Sequence, residues 1–380
     1  MKKIEFILIL SLSLCTYLSI YGDIRSQDIP LFDSTYYQFN LNDNSILRRP
    51  NAAKIADMDN DGDSDVVASN TSNGFTFARN VGNGFYSAPV YYTASLLSSD
   101  IAAGDFNNDG LKDVVVSNTG YNWEGNTISI FLNLGNASFA QAVNYAVGTG
   151  PTGVTAADLD NDGDNYIAVA NYGYLGQGST VSVLINNGNA TFQSALTFPG
   201  GNAPNKIRAA RINGDNFLDL VIANATGKVN LIFNSGNNNF ANRVELISEL
   251  GYSNEFSGAV AIDDIDNDND NDILYVPGFR FSGSIDYGSV AVFRNHGNGT
   301  FNPVQYLQSV SSTLPSSDVE IADLNSDGWK DIVTTSKTGR TSDGYMVYMN
   351  NGTGGFNGPY LKPGALSMQR ILTMMVTLTF

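Results

Sequence analysis

The chain has 380 residues, 42% of them apolar and 15% charged, with a formal net charge of −17. That length exceeds one ordinary hydrophobic core and calls for two domains or a repeat array, and the apolar share excludes a highly charged disordered chain. The acidic balance argues against nucleic acid or an anionic membrane as partner. A single Cys, Cys15, and a single His, His296, nearly exclude disulfides, thiol catalysis and Cys/His zinc sites.

In chain order, Lys2 and Lys3 precede an apolar run from Ile4 to Ile20. Residues 1–22 read as a secretory signal peptide cut between Gly22 and Gln27, with an uncleaved anchor as the alternative. The expected location is secreted, cell-surface or periplasmic, with no membrane span after cleavage. Leu12-Ser13-Leu14-Cys15 resembles a lipoprotein box, but Leu14 is a poor residue before the Cys, so lipidation at Cys15 is the lesser reading. Phe32 to Leu41 reads as a fourth strand that lacks its first three.

A nine-residue acidic pattern then starts at residues 57, 105, 158, 211, 264 and 323, with spacings of 48, 53, 53, 53 and 59. Asp or Asn falls at positions 1, 3, 5 and 9, and Gly at 6. Alternating hard oxygens suit Ca²⁺, which takes six to eight of them, and Gly permits the left-handed turn around an ion. The full pattern stands in loop one (Asp57, Asp59, Asp61, Asp63, Asp65), loop two (Asp105, Asn107, Asp109, Asp113) and loop six (Asp323, Asn325, Asp327, Asp331). Loop five (Asp264, Asp266, Asp268, Asp270, Asp272) has Asn269 in place of Gly, which tolerates the same turn. Loop three (Asp158, Asp160, Asp162) ends in Tyr166 and should bind weakly. Loop four begins with Arg211, whose guanidinium is expected to neutralise Asp215 and Asp219 instead of an ion.

A period near 50 signals a solenoid or propeller. Each period holds a short Ala-rich strand, the acidic loop, a β-branched strand such as Val114-Val115-Val116, and a third strand such as Ile128 to Leu132. A turn of the form Asn133-Leu134-Gly135-Asn136 and a fourth strand opening at Phe139 complete it. Four antiparallel strands per period make the blade of an all-β propeller, whose blades bury each other's faces. His296 falls in the turn and is a turn residue, as are the sequons at Asn136, Asn189 and Asn298.

These loops, the strand after them ending in Asn70, Asn118, Asn171 or Asn224, and the Asn-x-Gly-Asn-x-x-Phe turn resemble the FG-GAP/VCBS repeats, also found in integrin α-subunit heads. The resemblance covers residues 30–363. It implies a β-propeller with Ca²⁺ held by side chains at positions 1, 3, 5 and 9 and by the carbonyl of position 7, which adds Leu111 and Trp329. An EF-hand is excluded because position 12 is Ala68, Val116, Val169, Ile222, Tyr275 or Thr334, none of which chelates.

Residues 364–380 break the pattern. One codon choice for Met368 to Phe380, read two bases on, spells Ala-Ala-Asp-Phe-Asp-Asn-Asp-Gly-Asp-Ile-Asp-Ile, the family loop near where a seventh is due. The expectation is a seven-bladed ring whose last repeat is truncated or frameshifted here, with a degenerate apolar tail as the alternative. The resemblance implies that the loops after the second strands lie opposite the acidic ones; they carry Tyr121, Trp123, Tyr172, Tyr174, Phe279, Phe281 and Tyr287, a candidate surface for an extracellular protein or glycan. The chain thus reads as a binding or adhesion module without catalysis. The propeller portion of a hydrolase or lyase and a structural unit of a surface assembly are the alternatives.

Overall fold

The computed structural model describes residues 4–11, 50–82, 85–136, 138–240, 242–248, 258–276, 290–308, 316–336, 344–363 and 371–378. Residues 32–41, Phe279, Phe281 and Tyr287 lie outside them. Six four-stranded antiparallel sheets follow one another, each built from four consecutive strands. Sheet 1 holds Pro50–Ala56, Asp65–Asn70, Phe75–Ala78 and Val90–Tyr92; sheet 2 holds Ser98–Gly104, Asp113–Asn118, Thr127–Phe131 and Val143–Ala146. Sheet 3 holds Pro151–Ala157, Tyr166–Asn171, Thr180–Leu184 and Leu196–Pro199; sheet 4 holds Pro204–Ala210, Asp219–Asn224, Lys228–Phe233 and Asn242–Ile247. Sheet 5 holds Ala259–Asp263, Asp272–Val276, Val290–Phe293 and Gln305–Leu307; sheet 6 holds Ser316–Ala322, Asp331–Ser336, Gly344–Asn350 and Phe356–Pro363. Ile4–Ser11 and Ile371–Leu378 pair as a separate two-stranded sheet.

Residue type sorts the strands by depth. The second strands are buried on both faces, as in Asp113–Asn118, because a sheet packs on each side. That is why they read as unbroken β-branched runs rather than alternating ones. The fourth strands are the outer edge, and Val143–Ala146 is largely exposed. The first strands meet one another from sheet to sheet, which demands small residues. A Cβ on Gly153 would lie 2.6 Å from the Asn205 carbonyl oxygen, and one on Gly104 would lie 3.2 Å from Ala156 Cβ.

The apolar cores lie between sheets. Val115, Ile128 and Ile130 of sheet 2 pack with Val154, Ile167 and Val169 of sheet 3. Comparable clusters join sheets 1 and 2, 3 and 4, 4 and 5, and 5 and 6. The outer faces of sheets 1 and 6 carry smaller clusters of their own. The two-stranded sheet contacts the first strands of both.

Charges from separate sheets meet where the first strands converge. Lys206 Nζ of sheet 4 sits 3.3 Å from Asp100 Oδ1 of sheet 2. Lys54 of sheet 1 is pushed down to about 8, chiefly by Arg208 of sheet 4 and then by burial, against the pull of Glu320 and Asp100. Burial lifts Asp318 of sheet 6 to about 6.

Candidate functional site

Antiparallel order puts the six acidic loops and the Asn-x-Gly turns at one end of the sheets and the loops after the second strands at the other. Within each acidic loop the backbone folds onto the carboxylates. The position-1 carboxylate accepts the position-6 N–H, as in Gly62 to Asp57 (2.9 Å), Gly110 to Asp105 (2.8 Å) and Asn269 to Asp264 (2.9 Å). Position 6 is left-handed in every loop but the fourth, with φ of 84° at Gly110 and 71° at Asn269. Nothing lies within 4 Å of a Cβ built on Gly110, so the glycine answers a conformational need rather than a spatial one. The position-5 carboxylate accepts the position-7 N–H in all six loops, Leu111 to Asp109 and Trp329 to Asp327 among them.

Position 9 has a different role. Asp113 accepts the Phe106 N–H at Oδ2 (2.9 Å) and the Asn133 N–H at Oδ1 (2.7 Å). Asp65, Asp219, Asp272 and Asp331 repeat this pair of bonds. These carboxylates therefore tie the loop to the end of the third strand. Burial lifts Asp65, Asp113, Asp219 and Asp331 to about 6 and Asp272 to about 7, against the downward pull of the same N–H donors.

Among the described residues, three carboxylate triads have oxygens within 4.8 Å of one another: Asp57, Asp59 and Asp61; Asp158, Asp160 and Asp162; Asp264, Asp266 and Asp272. Their chemistry fits a hard divalent cation. Asp57 Oδ1, Asp59 Oδ1, Asp158 Oδ1, Asp160 Oδ1 and Asp266 Oδ1 are buried and accept no hydrogen bond, leaving lone pairs that an ion would satisfy. Loop three thus assembles a triad despite Tyr166, whose hydroxyl donates to Asp160 (2.8 Å). In loops two and six, Asn107 and Asn325 replace the middle carboxylate and donate to Asp109 and Asp327.

Two arginines that the loop pattern did not reveal reach into these loops. Arg79 bonds Asp61 through Nη2 (2.9 Å) and pairs with Asp59 through Nε. Arg294 Nη1 lies 2.7 Å from Asp266. Loop four departs from expectation. Among the described residues Arg211 makes no ion pair with Asp215 or Asp219, because other donors hold both. Asp219 takes the Ile212 and Asn234 N–H groups, and Asp215 takes Asn213 Nδ2 and the Phe217 N–H. Arg211 instead lines a cavity of about 420 Å³ with Arg208, Asp263, Asn271 and Glu320.

At the opposite end the aromatic set divides. Tyr172 is buried and packs its ring 5.9 Å from that of Trp123, over Ala203 and Ala225, so these two serve inter-sheet packing. Tyr121 and Tyr174 are 83% and 52% exposed, beside exposed Leu175. Their loops are held together by Gly150 N–H to Gly125 O and Tyr172 N–H to Gly150 O. No helix among the described residues is long and apolar enough to cross a membrane.

Six repeated antiparallel sheets carrying acidic loops at one end define a repeat protein of the propeller class. The model of the FG-GAP-like repeat matches residues 57–116, 119–169, 161–222, 211–275 and 264–334, and the chain belongs to that family. No curated protein matches it. Among solved structures it is similar to the BP39L lectin from Burkholderia pseudomallei, with 16% identity and a TM-score of 0.59 over 82% of this chain and 84% of that one. It is also similar to BBS1N in complex with ARL6DN. A crystal soaked with lead gives 13% identity and a TM-score of 0.53 over 81% of each chain. One soaked with mercury gives 10% and 0.51 over 87% of this chain and 92% of that one. At these identities the likeness is one of fold.

Proposed function

We propose that this chain is an exported, Ca²⁺-stabilised propeller that binds an extracellular protein or glycan through the face opposite its acidic loops. The observation that carries the reading is the exposed Tyr121, Tyr174 and Leu175 on loops hydrogen-bonded into one platform across sheets 2 and 3. Exposed aromatic residues on a rigid scaffold stack on sugar rings and anchor protein interfaces. A lectin and a partner-bound domain among the structural neighbours fit a binding role. The acidic loops hold the ions, with oxygens from Asp57 and Asp59, Asp105 and Asp109, Asp158 and Asp160, Asp264 and Asp266, and Asp323 and Asp327. The ion offsets carboxylate repulsion and so stiffens the scaffold beneath the platform. We further read the ring as having a seventh position, between sheets 1 and 6, since among the described residues those two sheets keep separate clusters where every successive pair shares one.

The test is a glycan-array and extracellular-protein screen in millimolar Ca²⁺, repeated with Tyr121→Ala/Tyr174→Ala and after chelation. Retention lost in the double variant, with an unchanged melting temperature, supports the platform. Retention unaffected by the double variant removes it.

A further inference from the structure

Position 3 of the acidic loops alternates along the chain: Asp59, Asn107, Asp160, Asn213, Asp266, Asn325. The Asn copies supply their own donor, with Nδ2 reaching the position-5 carboxylate at 2.8–2.9 Å in loops two, four and six. An Asp cannot do this, and each Asp copy receives a donor from elsewhere: Arg79, Tyr166 and Arg294. The two arginines occupy one structural place, the residue before the Asn that closes the third strand. Sheets 2, 3, 4 and 6 have Leu132, Ile185, Phe233 and Met349 there. Arginine appears there only beside the two loops that carry Asp at positions 1, 3, 5, 7 and 9 alike.

A guanidinium resting on Asp59 Oδ2 or Asp266 Oδ2 leaves the Oδ1 atoms free but takes the electrostatic position that a divalent ion needs. We propose that Arg79 and Arg294 are internal counter-ions of loops one and five, and that a divalent cation enters these two loops only by displacing them. This rests on the cation reading of the loops given above. Loops two and six, which have no such arginine, fill first, and loops one and five form a weaker, exchangeable class despite having more carboxylates. Arg294 adds a consequence. Its Nη2 also donates to the Gly354 carbonyl in the turn of sheet 6 (2.8 Å), so an ion in loop five releases a bond between sheets 5 and 6.

The experiment is calorimetric Ca²⁺ titration of the full chain at low salt, beside Arg79→Met, Arg294→Met and the double variant Asp59→Asn/Arg79→Leu, with metal-free melting curves of each. The double variant gives loop one the position-3 Asn and the third-strand Leu of loop two and decides the matter if the single variants fold poorly. The expected result is that each single variant tightens one weak site about tenfold and lowers the metal-free melting temperature, because the carboxylates lose their counter-charge. The double variant moves its site into the tight class and restores the metal-free melting temperature. Unchanged or weaker uptake in the arginine variants, with loops two and six filling normally, overturns the counter-ion role and leaves the calcium reading intact. No uptake by any of these proteins overturns both.

Discussion

The acidic positions divide by what their oxygens already do. Position-1 carboxylates spend one oxygen on the position-6 N–H and leave Asp57 Oδ1 and Asp158 Oδ1 without a donor. Position-9 carboxylates spend both oxygens on backbone N–H groups. The sequence showed which residues belong to the loop, and the glycine or Asn269 at position 6 follows from φ alone. It could not show that Asp113 is a backbone tie, or that Arg79 and Arg294 enter from the third strand, because those bonds close only when strands pair. Burial lifts Asp272 to about 7, far above its value of 3.8 when unfolded. Between those values the folded metal-free chain holds the proton more firmly than the unfolded one, so its stability falls as pH rises through that window. The metal-free protein should therefore melt higher at pH 5.5 than at pH 7.5. Asp272→Asn, which cannot ionise, should flatten that slope, as read from melting curves in metal-free buffer across the range.

At the scale of the element, the Asn-x-Gly turn was recognised as hairpin chemistry, but its first Asn does more. Asn133 Nδ2 donates to Lys112 O within its own loop (2.9 Å) and to Met58 O of the preceding loop (2.6 Å). Asn186, Asn234, Asn295 and Asn350 repeat this reach to Phe106, Leu159, Ile212 and Ile265. Each turn thus rivets its sheet to the one before. Only a recurring Asn was visible in the sequence, since its acceptor lies a whole repeat upstream. Asn80 of sheet 1 is the natural control, as it keeps the bond within its own loop, to Ser64 O (3.1 Å), and has no preceding acidic loop to reach. Asn133→Ala should cost about 2–3 kcal/mol, because it strands the buried Met58 carbonyl and the half-buried Lys112 carbonyl, and Asn80→Ala about 1 kcal/mol less. Urea denaturation of the two variants measures the difference, and equal losses would mean that the inter-sheet bond adds nothing.

For the molecule as a whole, the repeat period and the β-branched second strands made six stacked sheets legible, while the charges at the convergence of the first strands were not. Lys54, Asp100, Lys206, Arg208, Asp318 and Glu320 fall at positions where other repeats carry Ala, Gly or Thr, and nothing local marks them as partners. Burial works against ionised Asp100, yet Lys206, Arg208 and Lys54 together hold its carboxyl below the usual range. Asp100 Oδ2 also accepts the Val154 N–H of sheet 3. One carboxylate therefore bears on sheets 1, 2, 3 and 4, none of which reaches all the others through apolar packing. Asp100→Asn leaves three cations facing Asp318 and Glu320 alone. It should cost about 2–3 kcal/mol, somewhat under the loss for a fully buried pair because Lys206 keeps 21% of its side chain in solvent. Removing both partners as Asp100→Leu/Lys206→Met should recover most of that loss, because no charge is then stranded. If the charges bind the sheets into one unit, Asp100→Asn will also broaden the urea transition, as separate sheet pairs begin to melt independently. A single transition as sharp as that of the unaltered chain would assign cooperativity to the inter-sheet apolar clusters instead.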